Sequence, residues 1–241
     1  MDAIRPVPVR LYLLQLAIGE DGTPIPGYLI QTSDGKNILI DTGLFRDNTV
    51  EAPGNGTMHI DYVIDLLATL GLTPRNVDML ICTHFDPDHS GNHDDFPWSE
   101  LIVQHAHYEA ARSGDFERFN RTRAHWNHPS LRYRLVDGDT ELVPGVELIE
   151  TSGHVPGHQA VLVRLPETGP MLLAIDAVAL AEDFDPETRP DVPDVDMDVS
   201  AARASTRKLV ELARREGVTL TVFGHDEKLW PALKKAPDFY A

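Results

Sequence analysis

Short apolar runs rich in Val, Ile and Leu recur along the whole chain, and each is bounded by Gly, Pro, Asp or Asn. Runs of this length and composition predict β-strands. The predicted strands cover residues 9–16, 28–31, 37–40, 79–82, 101–104, 146–150, 160–165, 171–175 and 220–223.

A different spacing predicts three helices between the strands. Apolar residues recur at helical intervals from Ile60 to Leu70, and Gly71 provides a stop. Ser200 is a predicted cap for a helix that continues to Arg215, with Gly217 after its end, and residues 105–113 form a third, weaker pattern. Two segments, 112–129 and 181–198, follow neither spacing. We expect both to be long surface connections, which often carry function.

Many strands with a few intervening helices predict two sheets in contact, with the helices outside. There is no repeat of 20 to 50 residues that would indicate a solenoid. The expected fold class is therefore α/β, a four-layer αββα sandwich with two mixed sheets. A length of 241 residues and 42% hydrophobic residues are typical of a folded domain, and we expect 1–241 to be a single one.

Charge and cysteine content narrow the partners and the compartment. The formal net charge of −17 disfavours nucleic acid and anionic membrane surfaces, so the expected partner is a small molecule. Cys82 is the only cysteine, which excludes an intramolecular disulfide and a thiolate zinc site. No leader or anchor pattern is visible, and we expect a cytoplasmic protein. Whether it is a monomer or a homodimer stays open.

The segment 81–93, ICTHFDPDHSGNH, carries the most chemistry. It leaves a predicted strand and places four imidazole or carboxylate groups within six positions, namely His84, Asp86, Asp88 and His89. Alternate residues of an extended segment face the same side, and a turn at Pro87 would bring His89 beside the other three. Zinc and similar divalent metals accept such N and O donors. Alone, the pattern is equally compatible with a solvated acidic loop.

Three distant segments favour the metal. The sequence TSGHVPGH sets His154 and His158 between Gly and Pro directly after a predicted strand. Asp176 is a lone carboxylate within an apolar run, and a buried unpaired charge is strongly unfavourable without a cation or donors. His225 follows another strand in FGHD. Each feature alone fits a structural role, but four strand-end clusters together predict a metal site.

The string HFDPDHSG resembles the HxHxDH signature of the metallo-β-lactamase superfamily, and GHVPGH, the Asp176 segment and GHD follow in the order of its later motifs. IDTG at 40–43, VQHAHYEAA at 103–111 and VPGVELIETSGHVPGHQ at 143–159 are most similar to the N-acyl homoserine lactonase branch. The resemblance implies two bound metals. The implied ligands are His84, Asp86 and His154 for one, Asp88, His89 and His225 for the other, and Asp176 between them.

The same resemblance implies the chemistry. A hydroxide held between the two metals would attack a carbonyl carbon, with Asp88 and Asp176 as catalytic residues. Asp41, His158 and Asp226 would orient the metal ligands without contacting the metals. For each of the three, a purely structural role fits the sequence equally well.

Two positions depart from the family pattern. Asp86 stands where the signature has its second His, which makes the site more anionic and favours harder ions. We expect zinc. Because of this preference, iron or manganese are the alternatives at the Asp86 position. Ala179 stands where these lactonases carry a Tyr whose hydroxyl assists the substrate carbonyl. The donor is therefore either missing or supplied from elsewhere, by Tyr108, Tyr133 or His125.

The expected function is a dinuclear metal-dependent hydrolase that opens a lactone ring such as that of an N-acyl homoserine lactone. The alternatives are hydrolysis of an ester, thioester, β-lactam or phosphodiester, a diiron oxidoreductase suggested by Asp86, and a low-activity metal-binding scaffold. Elsewhere, Cys82 is expected to be a small buried residue, and His59, His105 and His107 are expected at the surface or at helix ends.

Overall fold

A computed structural model describes residues 7–46 and 58–241, and within these ranges twelve strands build two sheets. The strands are β1 Pro8–Gly19, β2 Pro24–Thr32, β3 Asn37–Ile40, β4 Met58–Ile60, β5 Met79–Ile81, β6 Glu100–Gln104, β7 Arg132–Val136, β8 Thr140–Val143, β9 Val146–Glu150, β10 Gln159–Leu165, β11 Gly169–Ile175 and β12 Leu220–Phe223. The α-helices are α1 Val63–Thr69, α2 Pro87–Ser90, α3 His105–Ser113, α4 Arg123–Trp126 and α5 Val199–Glu216.

Both sheets are mixed. The first has the order β4-β1-β2-β3-β5-β6-β7, antiparallel from β4 to β3 and parallel from β3 to β7. The second has the order β12-β11-β10-β9-β8 and is antiparallel except for the parallel pair β11 and β12. Parallel strands direct their carboxyl ends to one edge of a sheet, and residues that follow those ends can therefore meet there.

Alternating side chains divide the core into layers. On β1, Leu11 and Leu13 belong to the core between the sheets, whereas Tyr12 and Leu14 pack with α1 on the outer face. The second sheet follows the same rule, because its inward residues join the central core and its outward residues pack with Leu209 and Leu212 of α5. This period of two is the one a pleated strand requires. The four-layer αββα sandwich predicted from the sequence is confirmed.

All nine predicted strands are present, and three further strands were missed. β4 has only three residues and pairs with β1 at the edge of its sheet. β7 and β8 are edge strands of the two sheets, and most of their residues are exposed or half-buried. Edge strands bury little on either face, so they carry little apolar signal.

The three predicted helices are present, and α3 has the predicted bounds whereas α1 and α5 differ at their ends. α1 begins at Val63, because Ile60 belongs to β4. The cap of α5 is Asp198 rather than Ser200, since the Asp198 carboxylate accepts from the backbone N–H of Ser200 and of Ala201. The helix ends before Gly217, whose φ of 64° suits glycine. Within the described ranges no helix is long and apolar enough to cross a membrane.

The two segments expected to be surface connections are partly buried. The first contains α4, and its Phe119 and Trp126 are fully buried beneath the loop that follows β5, where Trp126 stacks on Phe85 with ring centroids 4.5 Å apart. In the second, Arg189 and Asp196 are buried and form an ion pair of 2.9 Å. Most of their residues are exposed, as expected of surface connections, but buried aromatic and paired charged side chains anchor each segment without the regular apolar spacing by which a core segment is recognised.

Candidate metal centre

Four strand ends deliver the seven predicted ligands to one place. His84 lies three residues beyond β5, and Pro87, at the first position of α2, starts the short helix that carries Asp88 and His89. His154 lies between β9 and β10, while Asp176 and His225 closely follow β11 and β12. The structure thus brings together side chains that are up to 141 positions apart, from His84 to His225.

The first group of donors consists of His84, Asp86 and His154, together with Asp176. Oδ2 of Asp86 lies 3.4 Å from Nε2 of His84 and 3.1 Å from Nε2 of His154. Oδ2 of Asp176 lies 3.6 Å and 3.5 Å from the same two nitrogens. We call these residues the first ligand group.

The second group consists of Asp88, His89 and His225, again with Asp176. Oδ2 of Asp88 lies 3.5 Å from Nε2 of His89 and 3.7 Å from Nε2 of His225. Asp176 places Oδ2 3.5 Å from His89 and Oδ1 3.3 Å from His225. This second ligand group therefore shares the Asp176 carboxylate with the first.

The spacing of these donor atoms fits divalent cations. Four ligands held tetrahedrally at 2.0–2.1 Å from one ion are about 3.4 Å apart, and the donor pairs here span 3.1 to 3.7 Å. Nε2 of His84, Nε2 of His89 and Oδ1 of Asp176 are buried without a hydrogen-bond partner in the described part of the chain. Such orphaned atoms are costly unless something binds them. The donor set is therefore suited to two divalent ions.

Opposite charges stabilise the ionised groups of the cluster. Burial alone would raise the pKa of Asp176, but His225 and His89 outweigh it and hold the pKa well below its ordinary value. Burial lowers the pKa of His225, yet Asp176 and Asp88 raise it to about 9. The carboxylates and imidazoles thus compensate one another, and a bound cation would take over this role from the imidazole protons.

The predicted supporting residues differ in what they touch. Oδ2 of Asp41 accepts a 2.8 Å hydrogen bond from Nδ1 of His89, and Thr83 donates to both oxygens of the same carboxylate. His158 bonds through Nδ1 to Thr151 at 2.8 Å, and burial beside His84 keeps its pKa well below the ordinary value. Asp226 instead accepts from backbone N–H groups, including that of Ala181 at 2.7 Å, and so fixes loops rather than a ligand.

The predicted substrate residues are engaged elsewhere. The Tyr108 hydroxyl accepts from Arg112 at 3.0 Å, and the Tyr133 hydroxyl donates to the Trp126 carbonyl. His125 bonds to Asp94 at 2.8 Å and lines a cavity of about 430 Å³ that none of the seven donors line. Ala179 contributes its carbonyl, which accepts from the His225 N–H at 3.0 Å.

Three residues at the site were missed by the sequence analysis. Arg118 binds Asp86, with Nε donating to Oδ1 at 2.9 Å and a terminal nitrogen to Oδ2. Asp196 points Oδ1 at Nδ1 of His154, 3.8 Å away. His107 lies near the start of α3, at a helix end as expected, but it is fully buried rather than at the surface and accepts from the Phe85 N–H at 2.8 Å. The carboxylate at position 86 was the one available signal, because it requires a cation.

Comparison with known proteins places this arrangement in a family. The model of the metallo-beta-lactamase superfamily matches residues 21–225. An N-acyl homoserine lactonase from a Bacillus species is 34% identical over 228 residues, which cover 90% of this chain and 86% of that protein. The N-acyl homoserine lactonase AttM of Azorhizobium caulinodans is 32% identical over 238 residues, with 90% and 87% covered.

Solved structures agree with the sequence comparison. A variant of AiiA from B. thuringiensis with N-decanoyl-L-homoserine bound at its active site superposes with a TM-score of 0.84 at 27% identity, covering 97% of this chain and all of that one. An N-acyl homoserine lactone hydrolase with the product N-hexanoyl-L-homoserine at its catalytic metal centre gives a TM-score of 0.82 at 26% identity, with the same coverage. The chain belongs to the metallo-β-lactamase superfamily.

Proposed function

We propose that this protein is a dinuclear metal-dependent hydrolase that opens the lactone ring of an N-acyl homoserine lactone. The observation that carries the proposal is the pair of ligand groups joined by Asp176, with donor atoms 3.1 to 3.7 Å apart. The lactonases that share about a third of its sequence supply the substrate class.

The roles of the residues follow from their contacts. His84, Asp86 and His154 would hold one ion, Asp88, His89 and His225 the other, and Asp176 both. The ions, zinc in our proposal, with iron or manganese as alternatives beside Asp86, supply Lewis acidity that activates water and stabilises charge on the substrate oxygens. Asp176 fixes the spacing of the two groups. Asp41 holds the His89 ring by its Nδ1, which leaves Nε2 free to bind an ion.

Asp88 is the proposed residue for moving a proton. Its carboxylate is buried, and although burial raises its pKa, His89 and His225 lower it below the ordinary value. An ionised carboxylate at this place can accept the proton of an attacking water and return it to the alkoxide that leaves when the lactone C–O bond breaks. Ala179 has no hydroxyl for the substrate carbonyl, so the chain supplies no tyrosine donor there.

The proposal extends to the domain and its location. The layers share one central core, which supports residues 1–241 as one hydrolase domain. We also propose a cytoplasmic location, supported by a single buried cysteine.

A substrate panel tests the function. Protein loaded with zinc would be offered N-acyl homoserine lactones of several chain lengths, an unsubstituted lactone, an aryl ester, a thioester, a β-lactam and a phosphodiester, with hydrolysis followed by proton release. We expect the acyl homoserine lactones to give the highest kcat/KM, and an Asp88→Ala variant to lose that activity. A higher kcat/KM on one of the other compounds would contradict the proposed substrate class and put the class of that compound in its place. Loaded protein that is inert on every compound would favour the metal-binding scaffold, and oxygen consumption with an added reductant would favour the diiron oxidoreductase.

A further inference from the structure

The carboxylate that departs from the family signature is paired with an arginine. Arg118 donates from Nε to Oδ1 of Asp86 at 2.9 Å, and one of its terminal nitrogens bonds to Oδ2. A two-point pair of this kind is geometrically specific, and a lysine cannot reproduce it.

The same terminal nitrogen also reaches a second donor of the first ligand group. It lies 3.2 Å from Nε2 of His154, which in turn lies 3.1 Å from Oδ2 of Asp86. These are the two atoms through which Asp86 and His154 would bind an ion. The guanidinium nitrogen and a cation at the first ligand group would therefore compete for the same place beside Nε2 of His154 and Oδ2 of Asp86.

Arg118 is held in this place from outside the ligand loops. It lies in a 3₁₀ turn, Glu117–Phe119, whose Phe119 is fully buried. Its other terminal nitrogen donates to the Val195 carbonyl at 3.1 Å, which links the segments 112–129 and 181–198 across the site. The guanidinium is thus a fixed part of the site and lies against Asp86 from a separate part of the chain.

The second ligand group has no such cation. In the described residues Asp88 pairs only with His89 and His225. Relative to the signature, the first group has a carboxylate in place of a neutral imidazole, and in this chain a positive charge lies beside that carboxylate. The pair is neutral overall, as the imidazole is, but its positive end faces the place where an ion would bind.

We propose that Arg118 is a positioning residue that weakens and controls binding of the ion at the first ligand group, so that the protein holds one divalent ion tightly and a second one exchangeably. The inference rests on the two-ion site of the proposed function. Its physical basis is competition for Nε2 of His154 and Oδ2 of Asp86, with repulsion between two neighbouring cations.

Metal binding itself tests the proposal. The full-length protein would be equilibrated with buffered free Zn²⁺ over a wide range, and retained zinc per chain would be counted. Wild type is expected to fill in two steps, with affinities at least about tenfold apart, the scale on which groups around a ligand act. Arg118→Met is expected to strengthen the weaker step at least about tenfold. Arg118→Lys, which keeps the charge and loses the fork, is expected to lie between the two.

A double-mutant cycle separates the pair from a merely structural role. Asp86→His leaves the guanidinium facing an imidazole and an ion, and the weaker step is expected to weaken further. Asp86→His with Arg118→Met restores the family donor set and is expected to bind two ions with similar affinities. Arg121→Met is the matched control. Arg121 is exposed and lies three residues from Arg118, and its substitution removes the same charge. It is expected to titrate as wild type.

Several results would overturn the inference. They are equal affinities in wild type, weaker binding in Arg118→Met, additive effects in the cycle, or the same shift in Arg121→Met. If Arg118→Met does not fold, as judged by circular dichroism, the Arg118→Lys variant and the double variant decide in the same way. Two-step binding by a protein that cleaves no lactone leaves the inference intact and removes the proposed substrate, so the two failures are distinguishable.

Discussion

The two ligand groups share Asp176 but differ in what stands behind them. In the second group, Asp41 accepts from Nδ1 of His89 at 2.8 Å, and the Pro24 carbonyl accepts from Nδ1 of His225 at 2.9 Å. In the first group, Nδ1 of His84 has a 3.0 Å contact with the Thr83 hydroxyl, but Nδ1 of His154 lies 3.8 Å from its nearest carboxylate, that of Asp196. Asp86 meanwhile is bound by an arginine.

This difference teaches where the protein has departed from its relatives. The second ligand group has the family residues and close supporting bonds, which preorganise the rings for an ion. The first group has a changed ligand and a competing cation. These contacts support the proposed unequal affinities of the two halves, and substitutions that act on both halves or on one would test it.

Asp176→Asn is expected to have the largest effect because this carboxylate serves both groups. Loss of its negative charge removes the shared ligand, and kcat/KM is expected to fall by about 10³-fold or more. Zinc analysis after dialysis would show both steps of binding weakened. Asp34→Asn, on a surface turn, is the control. Loss of only one step would contradict the bridging position.

Asp41→Asn is expected to have an intermediate effect confined to the second ligand group. The asparagine oxygen is an uncharged and weaker acceptor for the His89 Nδ1–H than the carboxylate. The zinc affinity of the tight step is therefore expected to fall about 10- to 100-fold. The same zinc titration measures it. An effect on the weak step alone would contradict the assignment of His89.

Asp196→Asn is expected to have the smallest effect, confined to the first ligand group. Asp196 is already 3.8 Å from His154 and is also bound by Arg189 at 2.9 Å, so its support of the ring is weak. The weaker zinc step is expected to shift by about tenfold or less. A larger shift than that of Asp41→Asn would reverse the order of the two halves.

The fold and the ligand positions could be predicted from local patterns. Met171 to Ile175 of β11 is a continuous apolar run, and the candidate ligand Asp176 follows it directly. The partner of Asp86 could not be predicted, because Arg118 lies 32 residues away in a segment without periodicity. The edge strand β7 and the buried His107 were missed for a related reason. Both depend on pairings between distant segments, which composition does not reveal.

The search for a donor to replace the family tyrosine, which is Ala179 here, shows the same limit. The sequence offered Tyr108, Tyr133 and His125 because each has a suitable donor. In the structure the Tyr133 hydroxyl donates to the Trp126 carbonyl, and His125 forms a hydrogen bond with Asp94. Donor chemistry can be identified from residue type alone, but its direction cannot.

Anomalous diffraction from crystals grown with Zn²⁺ tests the central claim most directly. Data on both sides of the zinc absorption edge are expected to show two peaks that flank the Asp176 carboxylate. One should be fully occupied among Asp88, His89 and His225, and the other less occupied among His84, Asp86 and His154. A single peak elsewhere, or no peak beside Asp176 at saturating zinc, would contradict the account.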